Sequence, residues 1–266
     1  MNTATQRAGD IAFQVHGADD GVPVVLAHSI LSSGAMWSSQ AGMLASHGYR
    51  AVCIDARGHG ASAATAAPYD MDGLAADTVS VLDALGIAKA HYVGLSLGGM
   101  SGMGLGLGHA DRLLSLCLCD MRADTPAAAS APWDERIAIA RAAESCAPLA
   151  QPTLERWFGR PFLDANPDDA ARLLAIAKST AVEGFVGCAE AIQRMDYLPR
   201  VDRIAVPTTL LVGSRDGVLP DAMRELARRI PGAVFEEIDD AGHLPNVERP
   251  EAFDAALLRH LARVAA

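Results

Sequence analysis

The chain has no block of basic residues, no cysteine framework, no metal-ligand spacing and no apolar run that reads as a membrane span. Each absence removes a class of function. Its 266 residues carry 22 lysines and arginines against 32 aspartates and glutamates, a formal net charge of −10. Phosphate backbones are bound by clustered cations, so no nucleic acid is expected as a partner. The five cysteines are an odd number at unpatterned spacings. Cys117 and Cys119 lie two apart in a strand-like run, point to one face and cannot bridge within that strand. Met1 to Asp20 is mixed and polar, without a signal pattern, so a reducing cytoplasm is the expected location and the thiols read as small buried apolar residues. No Cys or His pair has ligand spacing, so no metal is expected, and no redox-cofactor motif, internal repeat or oligomer signature is present. The longest apolar stretch, Tyr92 to Gly108, holds two serines and seven glycines and follows a strand-turn signal, which argues against a membrane span.

What is present begins with Gly94-Leu95-Ser96-Leu97-Gly98, a G-x-S-x-G spacing between the apolar run His91-Tyr92-Val93 and a helix-length apolar pattern. A strand that turns this sharply into a helix strains the central serine and exposes its hydroxyl. Side chains two residues to either side would collide, hence glycine at both. The glycine series continues through the elbow helix to Gly108. Each costs about 0.8–1.0 kcal/mol against alanine in a helix interior, so a close approach of helix to sheet is expected to offset it. The spacing and the lack of a following lysine argue against a phosphate loop.

Strand and helix signals alternate on either side of this motif. Val22 to Ala27, Tyr49 to Ile54, Tyr92 to Leu95 and Leu114 to Cys119 read as buried strands, and residues 71–85 as a helix capped by Asp70. The alternation resumes with a strand over 208–212, a helix over 219–229, a strand over 234–238 and a terminal helix over 250–264. This pattern predicts an α/β fold with a mostly parallel central sheet flanked by helices. Between about residues 121 and 200 the strand signals stop. Helical pattern takes over there, with Pro132, Pro152 and Pro167 near expected helix starts. The predicted organisation is a core of residues 1–120 and 201–266 and an inserted helical lid over 121–200, above the carboxyl ends of the strands where ligands bind in such sheets.

Serine is a weak nucleophile at its free pKa and needs a base. His243, in Ala241-Gly242-His243-Leu244-Pro245 after the last strand, is the candidate. Asp216, in Gly213-Ser214-Arg215-Asp216-Gly217, is placed to fix its tautomer, while Asp120, at the end of the strand after the elbow helix, competes for that role. Of the other histidines, His16, His47, His109 and His260 read as surface or helix-end residues, His91 as structural and His28 as a loop organiser. An acyl-transfer site also needs oxyanion donors. The backbone N–H of Leu97, at the helix N-terminus, and of Ile30, in His28-Ser29-Ile30, are the candidates.

With these motifs in place the chain resembles the α/β-hydrolase superfamily over nearly its whole length. The resemblance rests on Asp55-Ala56-Arg57-Gly58-His59-Gly60-Ala61-Ser62, Gly94 to Met100, Gly213 to Asp216 and Gly242-His243. Within the superfamily it looks most like the 3-oxoadipate enol-lactonases, by His28-Ser29, Met36-Trp37, Glu155-Arg156-Trp157-Phe158, Gly184-Phe185-Val186-Gly187-Cys188 and Met195-Asp196. It departs at Leu31, where that family tends to have glycine, and bulk there is expected to narrow the acyl site.

The resemblance implies a serine hydrolase, without cofactor, acting on a small enol lactone that carries a carboxylate. A cation from the lid, Arg136 or Arg194, would meet that carboxylate, and Trp133 and Trp157 would line the pocket. The same triad also serves carboxylesterases, C–C bond hydrolases, peracid-forming enzymes and slow-turnover ligand receptors. Dehalogenase and epoxide-hydrolase chemistry needs a carboxylate in place of Ser96.

Overall fold

The computed structural model describes residues 4–265. Among these, eight strands form one sheet: β1 (Gln6–Ala8), β2 (Ile11–His16), β3 (Val22–Ala27), β4 (Tyr49–Ile54), β5 (Ala90–Leu95), β6 (Leu113–Cys119), β7 (Thr208–Gly213) and β8 (Val234–Ile238), in the spatial order β1-β2-β4-β3-β5-β6-β7-β8. β1, β2 and β4 pair antiparallel, and all pairs from β4 to β8 are parallel. β5 and β7 are buried at every position, which is why they read as unbroken apolar runs rather than alternating ones. β1 and β2 have no counterpart in the expected elements. They form an antiparallel edge hairpin whose outer residues are exposed.

The helices outside the insertion are α1 (Ser38–Ser46), α2 (Met71–Ala84) and α3 (Leu97–Gly108). After β6 come α4 (Ala127–Ala143), α5 (Ala147–Phe158), α6 (Arg160–Ala165), α7 (Pro167–Ser179) and α8 (Val182–Arg194), then α9 (Leu219–Arg229), α10 (Pro245–Glu248) and α11 (Pro250–Ala265). Asp70 caps α2 as expected, its carboxylate accepting the Gly73 N–H at 2.6 Å. Pro167 opens α7, but Pro132 and Pro152 lie inside α4 and α5. The starts of those two helices belong to Pro126 at the N-cap and Pro148 in the first turn, where a missing N–H costs nothing.

The inserted helices leave and rejoin the core through a closed neck. Asp124 and Asp196 pair as an antiparallel bridge, the Tyr197 N–H donates to the Ala123 carbonyl at 2.7 Å, and the Thr125 N–H donates to Met195 at 3.1 Å. Register sets the functional edge. Ala27 lies beside Ile54 and Gly94, and Leu95 beside Cys119, which pairs with Leu211. The residues just past these ends, His28, Ser96 and Asp120, are therefore level with the loop after β7. No helix among the described residues is long and apolar enough to cross a membrane.

Candidate active site

Ser96 sits between β5 and α3 with φ +55° and ψ −112°, a left-handed strain that a non-glycine residue adopts only where its surroundings impose it. The imposing contacts are backbone. A Cβ on Gly94 would lie 2.3 Å from the Gly98 carbonyl oxygen, and one on Gly98 would lie 2.3 Å from the Ala27 carbonyl oxygen. The Ser96 N–H is anchored on the Cys119 carbonyl at 2.8 Å.

His243 and Asp216 meet as expected, with Nδ1–H donating to the Asp216 carboxylate at 2.7 Å. This leaves Nε2 as the basic nitrogen. Burial acts to raise the Asp216 carboxyl, but the charge and hydrogen bond of His243, the neighbouring Asp120 and the Arg156 charge hold it below the usual range. Glu248, which no motif in the sequence singles out, ties the loops of His243 and Asp216 together. Its carboxylate accepts the Gly242 N–H, beside His243, and pairs with Arg215, beside Asp216.

Ser96, His243, Asp216 and Ile30 line one cavity of about 510 Å³, together with Met100, Asp120, Met121, Arg122, Thr125, Trp133, Arg136, Arg156 and Val218 among others. Neither the Ile30 N–H nor the Leu97 N–H donates to a protein acceptor among the described residues. His28 is the loop organiser: Nδ1–H donates to the Ser29 carbonyl at 2.7 Å, and Nε2 accepts the Ala56 N–H at 2.9 Å. Leu31 does not crowd the acyl site. It takes φ +56°, is 2% exposed in the core and is not part of the cavity wall.

The lid residues divide. Trp133 and Arg136 line the cavity, with the guanidinium 4.8 Å above the indole. Trp157 does not. It is 1% exposed and supports the base from outside the cavity, its carbonyl accepting the His243 N–H at 2.9 Å and its ring lying 6.1 Å from the imidazole at 26°. Arg194 is not at the cavity either. It donates to the Tyr69 carbonyl at 2.7 Å and lies 3.7 Å from Glu190. Ile192 of the same helix lines the cavity, and two residues further on is about 200° around the helix, which turns Arg194 away.

Beside Arg136 the cavity wall carries Arg122, Arg215, whose guanidinium pairs with Glu248, and Arg156. The position of Arg156 on a helix flank beside the apolar Leu154 and Trp157 gave no signal that it faces a cavity rather than solvent. Burial, and then the charge of Arg136, press the Arg156 guanidinium down to about 10, with Asp216 acting against them. Burial likewise lowers Arg136. Neither has a carboxylate within salt-bridge distance among the described residues.

A serine, a histidine tethered by a carboxylate, one free backbone donor at a helix start, another in the loop after β3 and a walled cavity form an acyl-transfer arrangement. A family model described as alpha/beta hydrolase fold matches residues 22–250. The chain belongs to the α/β-hydrolase family. It is 30% identical over 256 residues to the 3-oxoadipate enol-lactonase 2 of Acinetobacter baylyi, covering 95% of this chain and 94% of that protein. Among solved structures, this α/β-hydrolase is similar to a hydrolase from Pseudomonas aeruginosa PA01, with a TM-score of 0.91, 33% identity and 98% of each chain covered. It is also similar to the enol-lactonase from Burkholderia xenovorans LB400, with a TM-score of 0.90, 32% identity and 95% and 96% of the two chains covered.

The His260 side chain, expected near a helix end at the surface, is 1% exposed. It bridges Ser115 at 2.7 Å and Thr209 at 2.6 Å, and Ser115 in turn meets His91 at 2.7 Å. The reason is position. α11 lies against β6, so a polar residue on its inner face must find partners on the sheet.

Proposed function

We propose that this α/β-hydrolase, a hydrolase of ester or lactone bonds, takes a small enol lactone bearing a carboxylate. The observation that carries the reading is the Arg136–Arg156 pair, two cations without a carboxylate partner on the lid side of the cavity that holds Ser96 and His243. Two guanidinium groups that repel each other in a partly dry wall are an arrangement that an anion relieves. The enol-lactonase names of the relatives agree with this chemistry.

In the proposed mechanism the substrate carboxylate meets Arg136 and Arg156, which sets the lactone carbonyl over Ser96. His243 Nε2 takes the Ser96 proton as Oγ attacks, and the oxyanion is held by the N–H groups of Ile30 and Leu97. Collapse of the tetrahedral intermediate breaks the ring C–O bond. The enol leaves with the proton returned by His243 and becomes the ketone, which draws the reaction forward. His243 then deprotonates a water, which releases the acyl group from Ser96 as a second carboxylate. The inserted helices act as the lid that brings the cations to the site.

The test is a panel of a carboxylate-bearing enol lactone, its neutral methyl ester, a simple aryl ester, a carbamate and a vinylogous diketone. The charged lactone is expected to give the highest kcat/KM, and Ser96→Ala to abolish turnover of all. Arg156→Gln is expected to cost about 10- to 100-fold on the charged lactone, the worth of one charge-assisted hydrogen bond, and at least about tenfold less on its neutral ester. A lactone that is the poorest substrate sinks the reading, as does equal loss on both lactones.

A further inference from the structure

Among the described residues, Asp120 is the only acidic residue with a buried carboxyl oxygen that lacks a hydrogen-bond donor. It stands at the end of β6, 0% exposed, in the wall of the active-site cavity. Its backbone takes φ +46°, left-handed for a non-glycine residue. One oxygen, Oδ1, accepts the Gly213 N–H at 2.8 Å, and Oδ2 has no donor. One ligand-capable atom each from Asp120, Asp216 and His243 lies within 4.8 Å of the others. Two carboxylates this close, one of them fully buried, repel each other, and the repulsion favours a proton on one of the pair.

The surroundings decide which carboxyl carries it. Asp216 has the His243 Nδ1–H and the Arg156 charge beside it. Asp120 faces the negative Asp216 across the strand ends, and on β6 itself it has only the buried thiols of Cys117 and Cys119, with Cys119 pushed well up by burial. From α9 comes Met223, whose sulfur accepts the N–H of Met121, the residue after Asp120, at 3.4 Å. Burial and the Asp216 charge together hold Asp120 far above the usual carboxylate range.

We propose that Asp120 is a positioning residue of the catalytic machinery, a neutral acid whose O–H donates to the Asp216 carboxylate. The chain of hydrogen bonds then runs from Asp120 through Asp216 to His243, which lines the same cavity as Ser96. No proton leaves Asp120 in the catalytic cycle; its O–H holds the carboxylate that steadies the imidazolium. With Asp216 replaced by asparagine the like charge is gone and burial alone opposes ionisation of Asp120. The His243 Nδ1–H, left without its carboxylate, then favours release of the Asp120 proton to water, and Asp120 accepts that N–H in place of Asp216. Asparagine at 120 still accepts from Gly213 and donates to Asp216, but an amide donates more weakly than a carboxylic acid and cannot ionise.

The inference rests on the serine-hydrolase reading above, which loss of turnover in Ser96→Ala tests separately. Its own test is a double-mutant cycle on p-nitrophenyl acetate across a pH series. Asp120→Asn is expected to lower kcat/KM about two- to fivefold with Asp216 present and to move the acid limb of the profile to higher pH. In the Asp216→Asn background the same change is expected to cost about tenfold or more, a coupling of the size contacting groups show. Equal or smaller loss in that background overturns the proposal, because a merely structural Asp120 would cost the same in both. Infrared spectroscopy at pH 8 gives a readout that needs no activity. The unaltered protein should show the carbonyl band of one neutral carboxylic acid that Asp120→Asn removes, and its absence overturns the proposal as well.

Discussion

Arg156 and Trp157 are chain neighbours with separate tasks. Consecutive residues on a helix point about 100° apart, so Arg156 enters the cavity wall while Trp157 packs behind His243. The difference predicts different kinetics. Trp157→Leu removes the ring beside the imidazole but keeps the carbonyl that accepts the His243 N–H. It is expected to lower kcat about tenfold or more on charged and neutral esters alike, since small displacements of a catalytic group are costly, with KM little changed. A loss confined to charged substrates would put Trp157 in the binding wall instead. At this scale the sequence was legible where chemistry demands a spacing. Ser96 stood out by its flanking glycines and His243 by its loop after the last strand, whereas Arg156 and Glu248 did not. Nothing local distinguishes a guanidinium that faces a cavity from one that faces water, or a carboxylate that clamps two loops from one on a helix end.

The helix α3 shows how an element can be rich in glycine and still stand. A Cβ added at Gly102 would lie 2.6 Å from Tyr92 Cε1 and 2.7 Å from Leu118 Cδ2, whereas one added at Gly108 meets nothing within 4 Å. The helix thus lies closer to β5 and β6 than side chains allow, and its propensity loss is recovered in packing. Gly102→Ala is expected to destabilise by about 1–3 kcal/mol through overpacking, despite a gain of up to about 1 kcal/mol in helix propensity. Gly108→Ala has only the propensity change and should be neutral or stabilising. Urea unfolding of the two variants checks this, and equal effects would remove the close-approach account. Element identity was largely readable for the same packing reason: β5 and β7 are buried at every position and β3, β4 and β6 over most of theirs, so their runs are mainly apolar. The β1–β2 hairpin was not readable, because an edge hairpin buried on one side has a short, mixed pattern. Pro132 and Pro152 misplaced two helix starts because Pro126 and Pro148 already occupy the positions where proline is tolerated.

At the scale of the whole molecule, four of the buried histidines among the described residues are held toward the uncharged form by burial: His28 and His59 near the loop after β3, His91 on β5 and His260 on α11. Burial depresses His28 to about 4, His59 to about 3, His91 to about 4 and His260 to about 3. The unfolded chain binds protons on these residues from about pH 6.5 downward, and the folded chain does not until far lower. Their contribution to stability is therefore complete above pH 6.5 and is lost as pH falls toward 4, by about 1.4 kcal/mol per pH unit for each residue. Asp120 works in the opposite sense. Neutral when folded and ionised when unfolded, it gains stability as pH falls and offsets about one of the four. The carboxyls of Asp55, Glu248 and Asp254, raised by burial, act with the same sign as Asp120. The balance predicts that unfolding free energy drops steeply between pH 6 and 5, with more than one proton taken up on unfolding. Since domains of this kind hold about 5–15 kcal/mol in total, the protein should unfold under acid conditions that leave its carboxylates mostly charged. Urea titrations across this range measure the slope directly. His260→Asn should flatten it by about one proton whatever it does to stability at pH 8. A flat profile from pH 6.5 to 5 would show that these histidines are not held uncharged by the fold.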